Sequence, residues 1–143
     1  MYYLITAVNR PVVLLQHGLL DSSFTWVNNG PEKSLAFILA DKGFDVWLGN
    51  TRGNTYSNSH KKYSSSSSKF WDFTWDEMAK YDLDAMINYA LTVSKAQKLG
   101  YVGHSQVTFS YKNYFSLFSL WNMKYLGYWN WFCQILTKFR PQF

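Results

Sequence analysis

Short apolar runs alternate along the first 105 residues with longer segments of helical periodicity. The runs are 12–16, 44–48 and 99–102, and each has the length and composition of a strand that is buried on both faces. Between them, at 31–42 and 76–94, apolar residues recur every three or four positions. This alternation predicts a parallel sheet with right-handed crossovers, and therefore a protein of the α/β class.

Local signals mark the ends of the two predicted helices. Gly43 follows the first helix, where glycine commonly closes the last turn. Thr74 and Glu77 have the spacing of a capping box at the start of the second helix. We expect the second helix to pack on the sheet through an apolar stripe made of Met78, Tyr81, Ala85, Tyr89 and Val93.

The loops after the three strands carry the polar residues of interest. Ligands of such sheets bind beyond the carboxyl ends of the strands. His17 and Gly18 follow the first strand, the loop 50–54 follows the second, and Ser105 follows the third. We therefore expect these three loops to converge on one edge of the sheet.

Gly103 and Ser105 form a Gly-x-Ser pattern at the end of the third strand. In a nucleophile elbow, a sharp strand-to-helix turn holds the serine in a strained conformation with its hydroxyl exposed. The same residues also fit an ordinary turn. The His17 loop favours the elbow, because it lies where an oxyanion-hole donor would be expected.

This arrangement assigns a catalytic role to three residues. Ser105 is the predicted nucleophile, and the backbone N–H groups of Leu19 and Gln106 are the predicted donors of the oxyanion hole. Leu19 and Leu20 have an alternative role in core packing, which we consider mainly for Leu20.

Three other polar residues receive less specific interpretations. His104 is next to the nucleophile in sequence and points elsewhere, so we expect it to pack or to form hydrogen bonds rather than to act as the base. His60 lies in a polar stretch and is expected on the solvated surface. Arg52 could brace the site loops through a buried ion pair or face water.

Composition excludes several classes of protein. An apolar content of 48% and a charged content of 16% favour a packed structure over a disordered chain. The net charge of +5 comes with no nucleic-acid-binding motif, so no nucleic-acid partner is expected. Cys133 is the single cysteine and cannot form an internal disulfide. The first residues do not have the pattern of a signal peptide.

Seven motifs between residues 10 and 106 occur together in one family. They are PVVLLQHGLL at 11–20, SLAFILAD at 34–41, GFDVWLGN at 43–50, RGNTYS at 52–57, FWDF at 70–73, DEMAKYDL at 76–83 and YVGHSQ at 101–106. With these motifs the chain resembles the acid lipases, a group of α/β-hydrolases that includes gastric and lysosomal lipases and related steryl-ester hydrolases.

The resemblance implies a function as well as a fold. It implies hydrolysis of neutral-lipid esters, triacylglycerols or steryl esters, through an acyl-enzyme on Ser105 and without a metal or an organic cofactor. Leu19 and Gln106 match the family's oxyanion-hole positions. The implied partners are a neutral lipid ester and a membrane or lipid-droplet surface, and the implied location is lysosomal, secreted or lipid-associated.

The sequence departs from the family's pattern after the nucleophile. Position 107 is Val where the family has Gly, so we expect a distorted elbow. The fold orders its triad as Ser, then Asp or Glu, then His, yet none of these partner types follows Ser105. We therefore expect a truncated α/β-hydrolase that lacks the lid domain and C-terminal strands and is inactive alone.

Residues 107–143 differ in composition from residues 1–106, which we interpret as the N-terminal part of the hydrolase domain. Of these 37 residues, 13 are aromatic and none is acidic, without helical or strand periodicity. One hypothesis is that this tail is not homologous to the lipases and is encoded by a retained intron or by a shifted reading frame. The alternative is a non-catalytic protein whose aromatic tail binds a lipid surface or a partner.

Overall fold

The computed structural model describes residues 9–105 in full. It also describes the backbone of one strand near each end of the chain, at residues 2–3 and 133–139. The strands are β1 (Tyr2–Tyr3), β2 (Val12–Gln16), β3 (Asp45–Gly49), β4 (Lys98–His104) and β5 (Cys133–Phe139). The α-helices are α1 (Leu35–Asp41), α2 (Trp75–Glu77) and α3 (Asp84–Ser94), with a π-helical segment at Met78–Leu83 and 3₁₀ turns at Ser23–Trp26 and Ser68–Trp71.

The sheet has the order β1-β3-β2-β4-β5. Its centre is parallel, because β2 pairs in parallel with both β3 and β4, whereas β1 and β5 run antiparallel to their neighbours. Gln16 lies opposite Gly49 on one side and Gly103 on the other, so the three parallel strands end level with one another. The predicted parallel α/β sheet is confirmed.

Helices cover both faces of this sheet. One face packs on α1 through Ala36 and Ala40, and the other packs on α3 through residues that include Ile87 and Leu91. Side chains that follow one another in a strand point to opposite faces. Both faces are buried here, which explains why β2 does not alternate between apolar and polar residues. Its first four residues are all apolar, and Gln16 is its last residue.

The glycine signal after α1 is confirmed. Gly43 has φ of +87°, its N–H donates to the carbonyl of Ala40, and the N–H of Phe44 donates to the carbonyl of Leu39. These two bonds form a Schellman motif, which satisfies carbonyls that the helix end would leave free. The helix itself begins at Leu35 rather than at residue 31, because the preceding residues form a turn closed by hydrogen bonds to the Gly30 carbonyl.

The second helical segment begins as predicted but buries a different face. The Thr74–Glu77 capping box is present. The predicted stripe is wrong, since Tyr81, Tyr89 and Val93 are exposed. The residues packed against the sheet are Leu83, Met86, Ile87, Ala90 and Leu91. This set also has helical spacing, and it is free of hydroxyl groups that would need partners inside the core.

The described part of the C-terminal region forms the edge strand next to β4. The backbone of β5 pairs along the whole of β4, although residues 133–139 show no strand alternation. This pairing satisfies the N–H and C=O groups of β4 that face away from β2, and without it β4 would be an unpaired edge. Residues 106–132 and 140–143 lie outside the described residues, as do the side chains of the aromatic tail. In the part described, no helix is long and apolar enough to cross a membrane.

Candidate active site

The loops after β2, β3 and β4 meet at one edge of the sheet, as the sequence predicted. In the sheet, β3 lies on one side of β2 and β4 lies on its other side, so the strand order reverses direction at β2. This edge of the sheet is therefore at a topological switch point. His17 contacts Thr51 and Asn54 of the β3 loop, and Gly18 adjoins Ser105 at the end of β4.

Ser105 occupies the turn that ends β4 and is partly buried there. Its φ is +59°, in a region that non-glycine residues seldom adopt. Such strain, of order 1 kcal/mol or more, persists only where the surroundings enforce it, and it is typical of functional turns. The backbone of Ser105 therefore agrees with the strained turn of a nucleophile elbow. Val107, which should distort the elbow, lies outside the described residues.

Two glycines let the backbone segments around Ser105 approach one another. A Cβ on Gly18 would lie 3.1 Å from the Ser105 Cβ and 3.2 Å from the carbonyl oxygen of His104. A Cβ on Gly103 would lie 2.8 Å from Cε1 of Tyr101, whose ring is buried. Any side chain at either position would force the β2 loop or the Tyr101 ring to move.

His17 is buried, and its neighbours determine its tautomer. Nδ1 lies 2.7 Å from the Gly18 carbonyl oxygen, which can only accept, so Nδ1 must carry the proton. Nε2 accepts from the N–H of Thr51 at 3.3 Å and from Nδ2 of Asn54 at 3.0 Å. Burial lowers the pKa of His17, partly offset by the Gly18 carbonyl and the Asp21 carboxylate. The imidazole is therefore neutral, and neither nitrogen is free to take a proton from Ser105.

Asparagine amides extend this network from the β2 loop to the first 3₁₀ turn. Oδ1 of Asn50 accepts from the Ser23 N–H at 2.9 Å and from Nδ2 of Asn54 at 2.7 Å. Oδ1 of Asn54 accepts from the N–H of Tyr56, which assigns its Nδ2 to the side that faces His17. Backbone donors thus determine the orientation of both amides, and the network is fully specified.

Arg52 braces the β3 loop against the π-helical segment. Its backbone N–H, Nε and Nη2 all donate to the carboxylate of Asp82, at distances from 2.5 to 3.0 Å. The hydrogen bonds that the guanidinium donates to Asp82 raise the pKa of Arg52. The guanidinium also lies 5.6 Å from the ring centre of Phe73. Of the two alternatives for Arg52, the ion pair is confirmed, but it is partly exposed rather than buried, with 34% of the Arg52 side chain accessible.

A cavity of about 790 Å³ opens beside these loops. The loops 17–21 and 51–55 form one wall, and aromatic side chains that include Trp71, Phe73 and Trp75 form another. Apolar walls with a few convergent polar groups are typical of sites for small organic ligands. The cavity therefore suits a ligand that is mostly apolar.

The remaining predicted residues have mixed outcomes. Leu19 lies in the cavity wall and is 55% exposed. The packing role considered for Leu20 is wrong, because this side chain is 99% exposed on a backbone with φ of +58°. Gln106 lies outside the described residues. His60 is exposed, as predicted, and stacks on Tyr63.

His104 is exposed as well, with its Nδ1 beside Gly18. Sequence reasoning missed the roles of His17, Asn50 and Asn54 in holding the loops together. A usable signal was present, since all three are polar residues that follow buried strands, but the pairing among them depends on which strands are adjacent.

Within residues 9–105, no group of three or more His, Asp or Glu side chains could hold a metal ion.

Comparison with known proteins places the chain in a family. The model of the alpha/beta hydrolase fold matches residues 11–116. The chain therefore belongs to the α/β-hydrolase family, in agreement with its parallel sheet and the strained serine at the end of β4. The match runs ten residues past Gln106, and the domain boundary at 106 stays a prediction.

Within that family, the chain is similar to acid lipases. It is 60% identical over 99 residues to lipase lipl-5 of Caenorhabditis elegans, and 59% identical over 99 residues to lysosomal acid lipase/cholesteryl ester hydrolase of Homo sapiens. It is 57% identical over 99 residues to gastric triacylglycerol lipase of Bos taurus. Each alignment covers 69% of this chain and 25% of the relative, so the chain spans about a quarter of the length of the curated relatives it matches.

Proposed function

We propose that this chain carries the nucleophile half of a serine hydrolase for neutral-lipid esters. The observation that supports this most directly is Ser105, held at positive φ at the carboxyl end of β4 with Gly18 packed against it. Two of the relatives named above are a triacylglycerol lipase and a cholesteryl ester hydrolase. These two classes of ester are the substrates that we propose, and the apolar walls of the cavity suit their acyl chains.

The proposed chemistry assigns each residue one task. The Ser105 hydroxyl attacks the ester carbonyl, the bond between the carbonyl carbon and the alcohol oxygen breaks, and the alcohol leaves with the proton lost by the serine. Water then hydrolyses the acyl-enzyme, which releases the fatty acid and restores the Ser105 hydroxyl. The N–H groups of Leu19 and Gln106 donate to the oxyanion of each tetrahedral intermediate. Removal of one such donor usually lowers kcat by about 10² to 10³ fold. No metal or organic cofactor is needed for these steps.

Within residues 9–105, the buried His17 is not free to serve as a general base for Ser105. His17 uses both nitrogens in the loop network, and no Asp, Glu or His follows Ser105. A serine hydroxyl without a base is a weak nucleophile. We therefore propose that the 143-residue polypeptide does not turn over esters unaided.

A chimera tests the first proposal. Residues 10–106 would replace the matching segment of the human lysosomal acid lipase, and hydrolysis of triolein and cholesteryl oleate would be measured. We expect activity that Ser105→Ala abolishes and that Ser59→Ala, at an exposed serine, leaves unchanged. A folded chimera without activity, or activity that survives Ser105→Ala, would contradict the proposal.

The isolated 143-residue chain tests the second proposal. A p-nitrophenyl ester of a short acid should be hydrolysed no faster by this chain than by its Ser105→Ala variant. Turnover that disappears with Ser105→Ala would show that the chain obtains a base from another source, and the proposed inactivity would be wrong.

A further inference from the structure

The β2 loop contains a hydrogen bond between neighbouring residues that sets the direction of a peptide plane. The Nδ1–H of His17 donates to the carbonyl oxygen of Gly18 at 2.7 Å. That carbonyl belongs to the same planar peptide unit as the N–H of Leu19. In a trans peptide the C=O and the N–H point to opposite sides. The Leu19 N–H therefore points away from the buried imidazole of His17.

The imidazole cannot readily turn, because the β3 loop holds its other nitrogen. Nε2 accepts from the Thr51 N–H and from the amide of Asn54, and both donors are anchored elsewhere in that loop. A ring flip or a proton on Nε2 would bring two donors together. With His17 only 2% exposed, little water can reach the ring to relieve such a contact.

We propose that His17 is a positioning residue of the oxyanion hole, which holds the Gly18–Leu19 peptide so that the Leu19 N–H is presented beside Ser105. The inference rests on the proposed function, since it assigns a purpose to the direction of the Leu19 N–H. Gly18 adjoins Ser105, so a rotation of this peptide would displace the donor next to the nucleophile. His17 acts through the backbone and does not touch the reacting atoms.

The tautomer of His17 is the first test, and it uses the intact 143-residue chain labelled with ¹⁵N. Long-range ¹H–¹⁵N correlation spectra distinguish a protonated from an unprotonated ring nitrogen. We expect a proton on Nδ1 and none on Nε2 at pH 7. A proton on Nε2 would overturn the proposal, because the Gly18 carbonyl would then lose its donor.

Two matched variants test the peptide itself. His17→Asn places an amide donor near the Nδ1 position and removes the acceptor at Nε2, whereas His17→Gln places an acceptor near the Nε2 position and removes the donor at Nδ1. The readout is the N–H residual dipolar coupling of Leu19, with that of Leu14 in the centre of β2 as a control for the fold. We expect the Leu19 coupling to persist in His17→Asn and to change in His17→Gln.

An unchanged Leu19 coupling in His17→Gln would show that His17 does not set this peptide, and the proposal would fail. If the variants do not fold, the tautomer of the unmodified chain still decides. Neither readout depends on ester hydrolysis. An inactive chimera with the expected tautomer and couplings would therefore reject the proposed function while leaving the local positioning role intact.

Discussion

The β2 loop and the turn at the end of β4 meet at the same edge of the sheet, but different forces hold them. The β2 loop is held by directional hydrogen bonds from His17, Asn50 and Asn54. The turn at Ser105 is held by steric fit, with Gly18 against it and Gly103 beneath the Tyr101 ring. The stability of a polar network depends on pH and on each donor and acceptor. The stability of a close backbone contact depends instead on the volume of the side chains at the contact. The two halves of the site should therefore fail in different ways.

The largest effect is expected from volume added beneath the turn. In Gly103→Ala the new Cβ would lie 2.8 Å from the buried ring of Tyr101, and we expect a loss of about 2 kcal/mol in the free energy of unfolding. Gly100→Ala is the matched control in β4, because its Cβ would meet the Val12 carbonyl at an ordinary 3.7 Å. Urea unfolding of both variants measures the difference, and equal losses would refute the steric account.

A smaller loss is expected when one amide is removed from the network. Asn50→Ala leaves the buried N–H of Ser23 and the amide of Asn54 without an acceptor, which should cost about 1.5 kcal/mol. Asn58→Ala, at an exposed position, should change stability by less than about 0.5 kcal/mol. If urea unfolding gives the same value for both variants, the network contributes nothing to holding the loops.

Acid should weaken the β2 loop and not the steric fit of the turn. Burial lowers the pKa of His17 below its usual 6.5, so the unfolded chain binds a proton that the folded chain does not. The stabilisation from neutral His17 is present above pH 6.5 and is lost as pH falls toward the lowered folded pKa, with a slope of at most about 1.4 kcal/mol per pH unit.

A comparison with His17→Gln isolates this contribution. Burial raises the pKa of Asp45, so the contribution of Asp45 to stability increases as pH falls, opposite to that of His17. This contribution is the same in the unmodified chain and in the variant, and it cancels in the comparison. Stability measured by urea unfolding between pH 7 and pH 5 should fall more steeply in the unmodified chain than in the variant. Parallel curves would mean that folding does not lower the pKa of His17.

The smallest effect is a gain at the turn. Ser105→Gly should relieve the positive φ, and after the extra entropy of the unfolded glycine chain a gain of about 0.5 kcal/mol remains. Lys95→Gly, at φ of +56° after α3, should give a similar gain without touching the site. A loss in Ser105→Gly alongside a gain in Lys95→Gly would indicate that the Ser105 side chain itself stabilises the turn.

Sequence reasoning predicted the central sheet well because its signals are local. β2 was predicted to the residue, and the glycine end of α1 and the capping box at Thr74 were both confirmed. The buried face of α3 was predicted wrongly, because two sets of apolar residues with helical spacing compete on this segment. Which set is buried depends on the sheet beneath it, and β2 and β3 come from distant parts of the chain.

In the site, too, local sequence signals predict some features, whereas others depend on which strands are adjacent. The sequence by itself determined the order of strands and helices, the convergence of three loops and the placement of Ser105 after β4, since apolar periodicity and glycine positions act over short distances. Only the tertiary structure decided that His17 is neutral, protonated on Nδ1 and held by Asn54. A hydrogen bond between residues 37 positions apart requires two loops to meet, and the pairing of β2 with β3 brings them together.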